Sequence, residues 1–220
     1  MEMELKEEDA RSRAKREQVL AGAQRVFLRE GFSAVSTDTL AREAGVSKRT
    51  LYAYYPSKEE LFVDAIRGLT LEQPETRVLA FIRSIRPDTV EELHEALVML
   101  AKRIIAATMN PTYLALMRTI IADSHRFPQL IEVVRSTIPE LALKEIGDVI
   151  QRAQDRGLTV PGDKEVMTRM YLGPLFSYPL LDGLLRPLSQ PQPPEEQKLR
   201  QIVDLYIKAI AADESTRKAE

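Results

Sequence analysis

Apolar residues recur at helical spacing in the N-terminal part of the chain. Val19, Ala23, Val26 and Phe27 share one face of a predicted helix, and arginine and glutamate residues lie on the opposite face. Gly31 follows this run, at a place where a glycine can take the left-handed conformation that ends a helix. The pattern therefore predicts an amphipathic helix that ends near Gly31.

Three shorter helices are predicted to follow, and each begins at a capping residue. Ser36 or Thr37 is placed to cap a helix that runs to Ala44, and Ser47 is placed to cap the next helix. The run Ser-Lys-Glu-Glu that begins at Ser57 is a capping box for the fourth helix. A cap satisfies backbone N–H groups that the first helical turn leaves free, so these residues locate the helix starts.

In the rest of the chain, proline marks the helix boundaries. Proline is tolerated in the first turn of a helix. Five prolines stand near the starts of apolar periodic segments: Pro87, Pro111, Pro128, Pro139 and Pro161. The predicted helices cover 75–85, 88–109, 112–125, 128–137, 139–156, 163–185 and 194–212. The chain has no strand-like alternation and no internal repeat, so the sequence predicts an all-α fold.

The second and third predicted helices are joined by a tight turn at Gly45-Val46-Ser47, which is a helix-turn-helix arrangement. The third helix carries Lys48 and Arg49 at its N-terminal end, where free backbone N–H groups also attract phosphate. The DNA major groove admits one α-helix, and Arg or Lys can contact guanine there. The pattern therefore indicates DNA binding, although the same geometry also packs ordinary helical bundles.

Charge is unevenly distributed along the chain. The stretch from Arg11 to Lys58 holds ten basic and four acidic residues, an excess of +6, whereas the whole chain has a net charge of −2. Neutralisation of phosphates by Lys and Arg supplies most of the non-specific affinity for DNA. The distribution favours one local site for a polyanion.

Three motifs lie within the segment Val19–Ala65: A-x-x-x-F-x-x-x-G-F from Ala23, L-A-x-x-A-G-V-S-K-x-T-L-Y-x-Y-Y from Leu40, and S-K-E-E-L-F from Ser57. On these motifs the segment resembles the N-terminal DNA-binding domain of the TetR family of bacterial transcriptional regulators. The resemblance implies a homodimer that binds a palindromic double-stranded DNA operator, usually as a repressor. A small, hydrophobic effector would release it.

The resemblance also implies a division of the chain and a set of DNA contacts. The helix-turn-helix domain would cover 11–60, and a C-terminal helical domain for effector binding and dimerisation would cover 61–220. Arg49 stands where the family varies and is the best candidate to read bases. Positions that match phosphate contacts are Thr37, Ser47, Lys48 and Lys58. Positions that match backbone or base contacts are Thr50, Tyr52 and Tyr54, with packing as the alternative role for both tyrosines. Tyr55 replaces a more usual Phe and is interpreted as mainly core.

The C-terminal helices are rich in methionine and aromatic residues, which ordinarily form a core. The resemblance places a concave, largely apolar pocket among them, and such pockets have this kind of lining. The residues expected to line it are Leu97, Met117, Ile121, Met170 and Phe176, with His125 or Tyr178 as a polar anchor.

A dimer interface is expected from the family analogy and from amphipathic helices near the C-terminus. The segment 163–185 is predicted to be kinked or broken by Gly173, Pro174 and Pro179. We expect this segment and the last helix to form an antiparallel four-helix bundle across a two-fold axis.

Several classes of function find no support in the sequence. The chain has no cysteine and two histidines, which argues against a disulfide framework and a metal site. It also lacks a glycine-rich phosphate loop and hydrolase motifs, so we expect neither an enzyme nor a cofactor. The acidic N-terminus does not resemble a signal peptide, and no apolar run reaches the roughly 18 residues of a membrane span, so a cytoplasmic protein is expected. The alternative function is that of a transcriptional activator or a nucleoid-associated factor that acts through a protein partner.

Overall fold

The computed structural model describes residues 2–70, 77–125, 128, 131, 132, 135, 139–187 and 191–212. Helices cover most of these residues, which confirms the all-α fold. Within the described ranges the strand-like pairing is one isolated antiparallel bridge, between Thr159 and Ala211. In chain order the α-helices are α1 (Glu2–Ala34), α2 (Thr37–Glu43), α3 (Lys48–Tyr54), α4 (Lys58–Thr70), α5 (Val78–Ser84), α6 (Val90–Thr108), α7 (Pro111–Asp123), α8 (Pro139–Asp155), α9 (Lys164–Tyr178) and α10 (Glu196–Ile210).

The predicted starts of α2, α3 and α4 are confirmed. The hydroxyls of Ser36, Ser47 and Ser57 each accept a hydrogen bond from the backbone N–H three residues later, at 3.1 Å. Such a bond satisfies one of the N–H groups that have no partner inside the helix. Gly31 has a φ of +79° and interrupts α1 before its last residues, so the expected helix break at this glycine is also confirmed.

The later helices are each shorter than predicted, and they lie within their predicted ranges except for α7, which begins one residue early at Pro111. The helix predicted at 128–137 lies largely outside the described residues. Pro174 lies inside α9, and from Pro179 to Leu184 the backbone follows a π-helix. The predicted break in 163–185 is therefore a change of helical winding. Proline has no N–H to donate, so it interrupts the α-helical hydrogen-bond ladder where the change begins.

The chain divides into two compact units. One contains Met1–Leu69 and Ala115–Thr137, and the other contains Thr70–Leu114 and Ile138–Glu220. This division assigns nearly all of α4 to the first unit, whereas the predicted C-terminal domain begins at residue 61. The predicted domain limits divide the chain by function, and they stay a prediction.

The core of the first unit is built around three phenylalanine rings. Phe62 lies 4.9 Å from Phe27 and 5.0 Å from Phe32, measured between ring centroids, in edge-on contacts. All three side chains are at most 2% exposed. Because the rings come from α1 and α4, this cluster fixes α4 against α1. The last turn of α7 adds a polar contact, since Asp123 accepts a hydrogen bond from the backbone N–H of Ser33 at 3.2 Å.

In the second unit, α6, α9 and α10 share a core around Tyr171. This side chain is fully buried, and its hydroxyl donates a hydrogen bond to the carbonyl oxygen of Leu97 at 2.7 Å. The ring of Tyr206 lies 5.5 Å from the Tyr171 ring. At the edge of this core, His94 Nε2 lies 2.6 Å from a carboxylate oxygen of Asp204. Apolar burial and polar contacts together join α6 to α10.

A row of apolar side chains on α9 and the π-helical segment is exposed in the second unit. Their exposed fractions run from 37% at Phe176 to 71% at Leu185. The residues are Val166, Met170, Phe176, Leu180, Leu181 and Leu185. Leu205 on α10 is also exposed, at 68%. These residues are named the α9 apolar face below, with Leu205 considered separately.

Candidate DNA interface and internal cavity

The turn between α2 and α3 is held by backbone hydrogen bonds and one glycine. The N–H of Val46 donates to the carbonyl of Ala41 at 2.9 Å, and the N–H of Gly45 donates to Arg42 at 3.1 Å. Gly45 has a φ of +63°, which glycine adopts without a steric penalty. Ser47, the cap of α3, follows two residues later. The local sequence therefore fixes the direction of α3 after the turn.

The chain reversal packs closely against α1. A Cβ added at Gly22 would lie 2.7 Å from the Cα of Ala44, so glycine at this place lets the two backbones meet. Gln18 adds a polar contact from the preceding turn of α1, where its side-chain amide donates to the Ala44 carbonyl at 2.6 Å. This close approach positions the turn, and with it the start of α3.

The outward face of α3 contains the predicted base reader. Arg49 is exposed and has no polar partner among the described residues. Tyr52 is 44% exposed, and Tyr54 is half-buried. On the opposite face, Leu51 is fully buried. The helix is thus anchored by one apolar side chain and presents Arg49 and Tyr52 to solvent.

Two of the predicted phosphate contacts near the turn, Ser47 and Lys48, already have partners within the first unit. The ammonium of Lys48 donates to the carboxylate of Asp38 at 3.0 Å, and both side chains are exposed. The hydroxyls of Ser47 and Thr50 lie 2.8 Å apart and cap α3 together. Thr37 is half-buried in the first turn of α2.

Lys58 is placed differently from the other predicted contacts. Its ammonium donates to the carbonyl of Val35 at 2.5 Å and lies 4.2 Å from the centre of the Phe32 ring. Burial lowers the pKa of Lys58. Its ammonium therefore faces the interior of the first unit, and its contact with phosphate stays a prediction.

Tyr55, directly after α3, takes part in a polar cluster that the sequence did not predict. The residue is 2% exposed, as expected of a core residue, but its hydroxyl donates to Asp64 at 3.2 Å. The Arg16 guanidinium donates to the Tyr55 hydroxyl at 3.3 Å and to Asp64 at 2.5 Å. The cluster joins the end of α3 to α1 and α4. No spacing signal in the sequence connects these three residues.

A second salt-bridge cluster joins α1 to the end of α2. Arg25 Nε donates to the Glu43 carboxylate at 3.0 Å, and the Arg25 guanidinium also donates to the Glu43 carbonyl at 3.2 Å. Arg29 lies 3.6 Å from the same carboxylate. The hydrogen bond from Arg25, together with the positive charge of Arg29, lowers the pKa of Glu43.

The second unit encloses an apolar cavity between four helices and the start of α7. About 470 Å³ among its lining residues is free of atoms, a volume that includes the space at the mouth of the cavity. The lining residues come from α5, α6, α8 and α9 together with one residue of α7: Val78, Ile82, Ile104, Ala107, Thr108, Tyr113, Ala142, Ile146, Leu172 and Phe176. No Asp, Glu, Lys, Arg or His is among them. The enclosed part of the cavity is about 40 Å³ in volume. Its apolar lining is of the kind found in sites for small organic molecules.

One of the seven predicted effector contacts, Phe176, lines this cavity. Leu97 is fully buried in the core beside Tyr171, Met170 is exposed on the α9 apolar face, and Tyr178 is half-buried. The other three residues belong to the first unit, where Met117 is half-buried while Ile121 and His125 are exposed. The structure thus does not bring the seven residues together around this cavity.

The described residues contain neither a metal-binding cluster nor a single helix that could span a membrane. In the described ranges, no three His, Cys, Asp or Glu side chains are grouped so that they could hold a metal ion. None of the described helices is by itself long and apolar enough to cross a membrane. The helices α6 and α7 together have sufficient length and apolar composition, but a bend of 62° separates them.

Models of known protein families match both the N-terminal and the C-terminal part of the chain. The family model for bacterial regulatory proteins of the tetR family matches residues 19–65. The model for the C-terminal domain of AefR-like transcriptional repressors matches residues 95–212, which is more than half of the chain. The chain belongs to the TetR family. It is therefore a DNA-binding transcriptional regulator, and its α2–turn–α3 segment is the helix-turn-helix of that family.

Two characterised proteins are similar to this TetR-family regulator over different lengths. The regulator EthR of Mycolicibacterium smegmatis is 44% identical over 51 residues, which are 23% of this chain and 24% of EthR. The nucleoid occlusion factor SlmA of Vibrio atlanticus is 26% identical over 162 residues, which are 72% of this chain and 79% of SlmA. The match to EthR thus spans about a quarter of that protein.

Solved structures of other regulators share the fold of this TetR-family protein. A TetR-family regulator from Mesorhizobium loti superimposes with a TM-score of 0.69 at 24% identity, over 92% of this chain and 99% of that one. The flavonoid-responsive regulator FrrA superimposes with a TM-score of 0.66 at 27% identity, over 90% of this chain and 97% of FrrA.

Proposed function

We propose that this TetR-family regulator is a ligand-responsive repressor that binds a palindromic operator as a homodimer and is released by a small, hydrophobic effector. The observation that supports the proposal is the cavity in the second unit, whose lining in the described part of the chain is apolar. The structural similarity to FrrA, a flavonoid-responsive regulator, supports a response to small molecules. A regulator of chromosomal DNA acts in the cytoplasm, and we place it there.

The α9 apolar face supports the homodimer. Its six exposed side chains lie on α9, the π-helical segment and the residue directly after it. Monomers seldom expose large apolar patches. A two-fold dimer buries the same patch on both subunits. It would also present two copies of α3 to two half-sites of a palindrome. Leu205 extends the contact to α10.

In the operator complex, we assign different roles to the residues of the DNA interface. Arg49 is exposed and unpartnered in the described part of the chain, so it reads bases, with Tyr52 beside it. Lys48 and Thr37 contact phosphates, and the Lys48 ammonium exchanges Asp38 for a phosphate oxygen. Ser47, Thr50 and Tyr54 contact the backbone, and Lys58 does so after turning from Val35.

Release from the operator requires that the effector bind two states of the regulator with different affinities. An effector changes a two-state equilibrium only by binding one state more tightly than the other. The cavity shown here has little room beyond its own lining, so a ligand that enters it favours a state with a wider cavity. We propose that this wider state fits the operator less well.

The test combines operator binding with the oligomeric state. DNA fragments from the promoter next to the regulator's own gene are titrated with the full-length protein, and fluorescence anisotropy is recorded with a non-cognate duplex as the competitor. A Leu181→Lys variant is expected to run as a monomer in light-scattering chromatography and to lose cooperative operator binding. Met99→Lys changes another exposed apolar residue, which lies on α6 and is 42% exposed against 56% for Leu181, and should leave both properties intact. A dimer that persists in Leu181→Lys, or a wild-type monomer, contradicts the proposal.

A second candidate function is a nucleoid-associated factor that acts through a protein partner. The similarity to SlmA over 72% of this chain favours it. Such a factor would bind many sites across the chromosome, whereas the proposed repressor would occupy few operators and leave them when its effector is added. Chromatin immunoprecipitation with and without effector separates the two functions, and reporter expression from the bound promoter separates a repressor from an activator.

A further inference from the structure

A seam of charged side chains joins the end of α5 to the last turns of α8 in the second unit. At one end of the seam, the Arg83 guanidinium donates two hydrogen bonds to the Glu145 carboxylate, at 2.7 and 2.9 Å. At the other end, the Arg156 guanidinium donates to the carbonyl of Pro87 and to the carboxylate of Asp88, each at 2.6 Å. Both ends of the seam are therefore complementary contacts between donors and acceptors.

Between its two ends, the seam brings two arginines together. Arg86 follows Arg83 by three residues along the chain. Arg152 comes seven residues after Glu145 and four before Arg156, so all three start from the same side of α8. Arg86 and Arg152 are thus neighbours, and the positive charge of Arg86 acts on Arg152.

The carboxylates nearest to Arg152 are engaged elsewhere. Glu145 belongs to the first contact of the seam. Asp148 lies 3.3 Å from the ammonium of Lys144 and 3.6 Å from that of Lys164. Arg152 itself has no hydrogen bond or ion pair within the described ranges, and its Nε is buried. A buried donor that makes no hydrogen bond is unfavourable, so Arg152 lacks an acceptor.

Arg86 also has donors to offer. One of its terminal nitrogens donates to the carbonyls of Arg83 and Ile85, at 2.8 and 2.7 Å, and so closes the C-terminal end of α5. A guanidinium carries further N–H groups in the same plane. Those of Arg86 have no acceptor among the described residues. Two neighbouring guanidinium groups can therefore donate to one acceptor.

The surroundings of Arg152 disfavour its charge. Burial and the positive charge of Arg86 lower the pKa of Arg152. Arg156 acts in the same direction, while Asp148 and Glu145 act against it. A guanidinium stays protonated in proteins, so the repulsion persists at any physiological pH. A negatively charged group between Arg86 and Arg152 would offset it.

We propose that Arg86 and Arg152 bind a small oxyanion, a carboxylate or a phosphate group, which bridges α5 and α8. A guanidinium pairs with either kind of oxyanion through parallel N–H···O hydrogen bonds, and the charges make these bonds stronger than neutral ones. Arg86 is exposed and Arg152 is half-buried, so an anion reaches the site from solvent. The site goes beyond the proposed function, and its test needs neither DNA nor an effector.

The experiment measures anion binding to the full-length protein at pH 7 and constant ionic strength, with chloride as the balancing ion. Sodium phosphate and sodium acetate are the probes, so that a phosphate site and a carboxylate site are distinguished. We expect isothermal calorimetry to give a Kd of about 1 mM for at least one of them, the affinity of two charge-assisted hydrogen bonds. At about 10 mM, ten times this Kd, that anion should raise the Tm by about 4 °C.

Three variants locate the site. Arg152→Gln and Arg86→Gln each remove one guanidinium and should abolish most of the Tm shift. Without added anion, Arg152→Gln should be at least as stable as the wild type, because the repulsion from Arg86 is gone. Arg169→Gln is the control, since it removes the same charge from an arginine that pairs with Glu165 inside α9. It should keep the full shift.

Three results would overturn the proposal. They are a Kd weaker than about 10 mM for both anions, a full Tm shift in both Arg152→Gln and Arg86→Gln, and loss of the shift in Arg169→Gln. A purely structural role of Arg152 at the end of α8 has another signature: Arg152→Gln then lowers the Tm without added anion and leaves the shift intact. Calorimetry on the wild type decides the first result even if a variant fails to fold.

Discussion

The hydroxyl of Tyr55 donates a hydrogen bond to the carboxylate of Asp64 over 3.2 Å, and so ties the residue after the recognition helix α3 to α4. Arg16 from α1 completes the contact by donating to both groups. Burial raises the pKa of Tyr55, so the phenol stays protonated and can donate. The orientation of α3 relative to α1 and α4 thus depends on a polar contact as well as on apolar packing.

Removing the Tyr55 hydroxyl tests this positioning role. We expect Tyr55→Phe to lower the free energy of unfolding by about 1 kcal/mol, because one buried hydrogen bond is lost while the ring still packs. Operator affinity should fall more than affinity for a non-cognate duplex, since the charges that meet phosphates are unchanged. Urea unfolding and fluorescence anisotropy measure the two effects, with Tyr178→Phe as the control. An equal loss on both duplexes would contradict the positioning role.

Arg49 and Lys48 should differ in what they contribute to DNA binding. We expect Arg49→Ala to reduce the preference for the operator by roughly 1–3 kcal/mol, because a base contact is lost. Lys48→Ala should weaken binding to all sequences and reduce the slope of log affinity against log salt by about one. Titrations of cognate and non-cognate duplexes at several salt concentrations measure both. The same loss of specific and non-specific binding in both variants would refute this division.

The close approach of α1 to the turn predicts a strong effect of a single methyl group. Gly22→Ala places a Cβ 2.7 Å from the Cα of Ala44, so α1 and the turn must separate, and we expect a loss of about 1–3 kcal/mol in stability. Gly147→Ala is the matched control in α8, where the nearest atom outside its own helix would be 3.5 Å away. That change should stabilise the protein by roughly 0.5–1 kcal/mol through helix propensity. Urea unfolding curves of the two variants measure these changes in stability. A Gly22→Ala variant as stable as the wild type would show that α1 and the turn are not in close contact.

The salt bridges of Glu43 predict that the free energy of unfolding depends on pH. The guanidinium of Arg25, with help from Arg29, lowers the pKa of Glu43 in the folded state. The stabilisation is therefore complete above the pKa of the unfolded chain and is lost as the pH falls through the lower, folded value. We expect the wild type to be more stable than Glu43→Gln at pH 7 and the difference to shrink below about pH 4. Glu17→Gln, which removes an exposed carboxylate without an ion-pair partner in the described ranges, should show no such pH-dependent difference.

The helix-turn-helix could be predicted in detail because its signals are local. A serine cap, a glycine with positive φ and an apolar seam each act within a few residues, so the starts of α2, α3 and α4 can be found from the sequence. The Tyr55 cluster could not be found this way. Arg16 lies 39 residues from Tyr55 and meets it only after α1 and α4 have packed.

The cavity shows the corresponding limit for the second unit. An apolar stripe identifies a helix, but it does not tell whether a side chain fills a core or borders an empty space. Leu97 and Phe176 belong to similar stripes, yet Leu97 is fully buried in the core and Phe176 lines the cavity. The lining residues of α5 and α8, such as Ile82 and Ile146, were not predicted. Their role depends on how neighbouring helices cross, which is not encoded in the spacing within one helix.

The pairing of basic side chains with carboxylates in the first unit has a consequence for how the regulator searches the chromosome. Arg16 with Asp64, and Arg25 with Glu43, are cations whose charge is already balanced inside the protein. They attract the polyanion less than their number in the sequence suggests, because each displaces few condensed counterions. The protein should therefore dissociate quickly from DNA of arbitrary sequence. A long residence time should arise only at sites where side chains recognise the bases themselves.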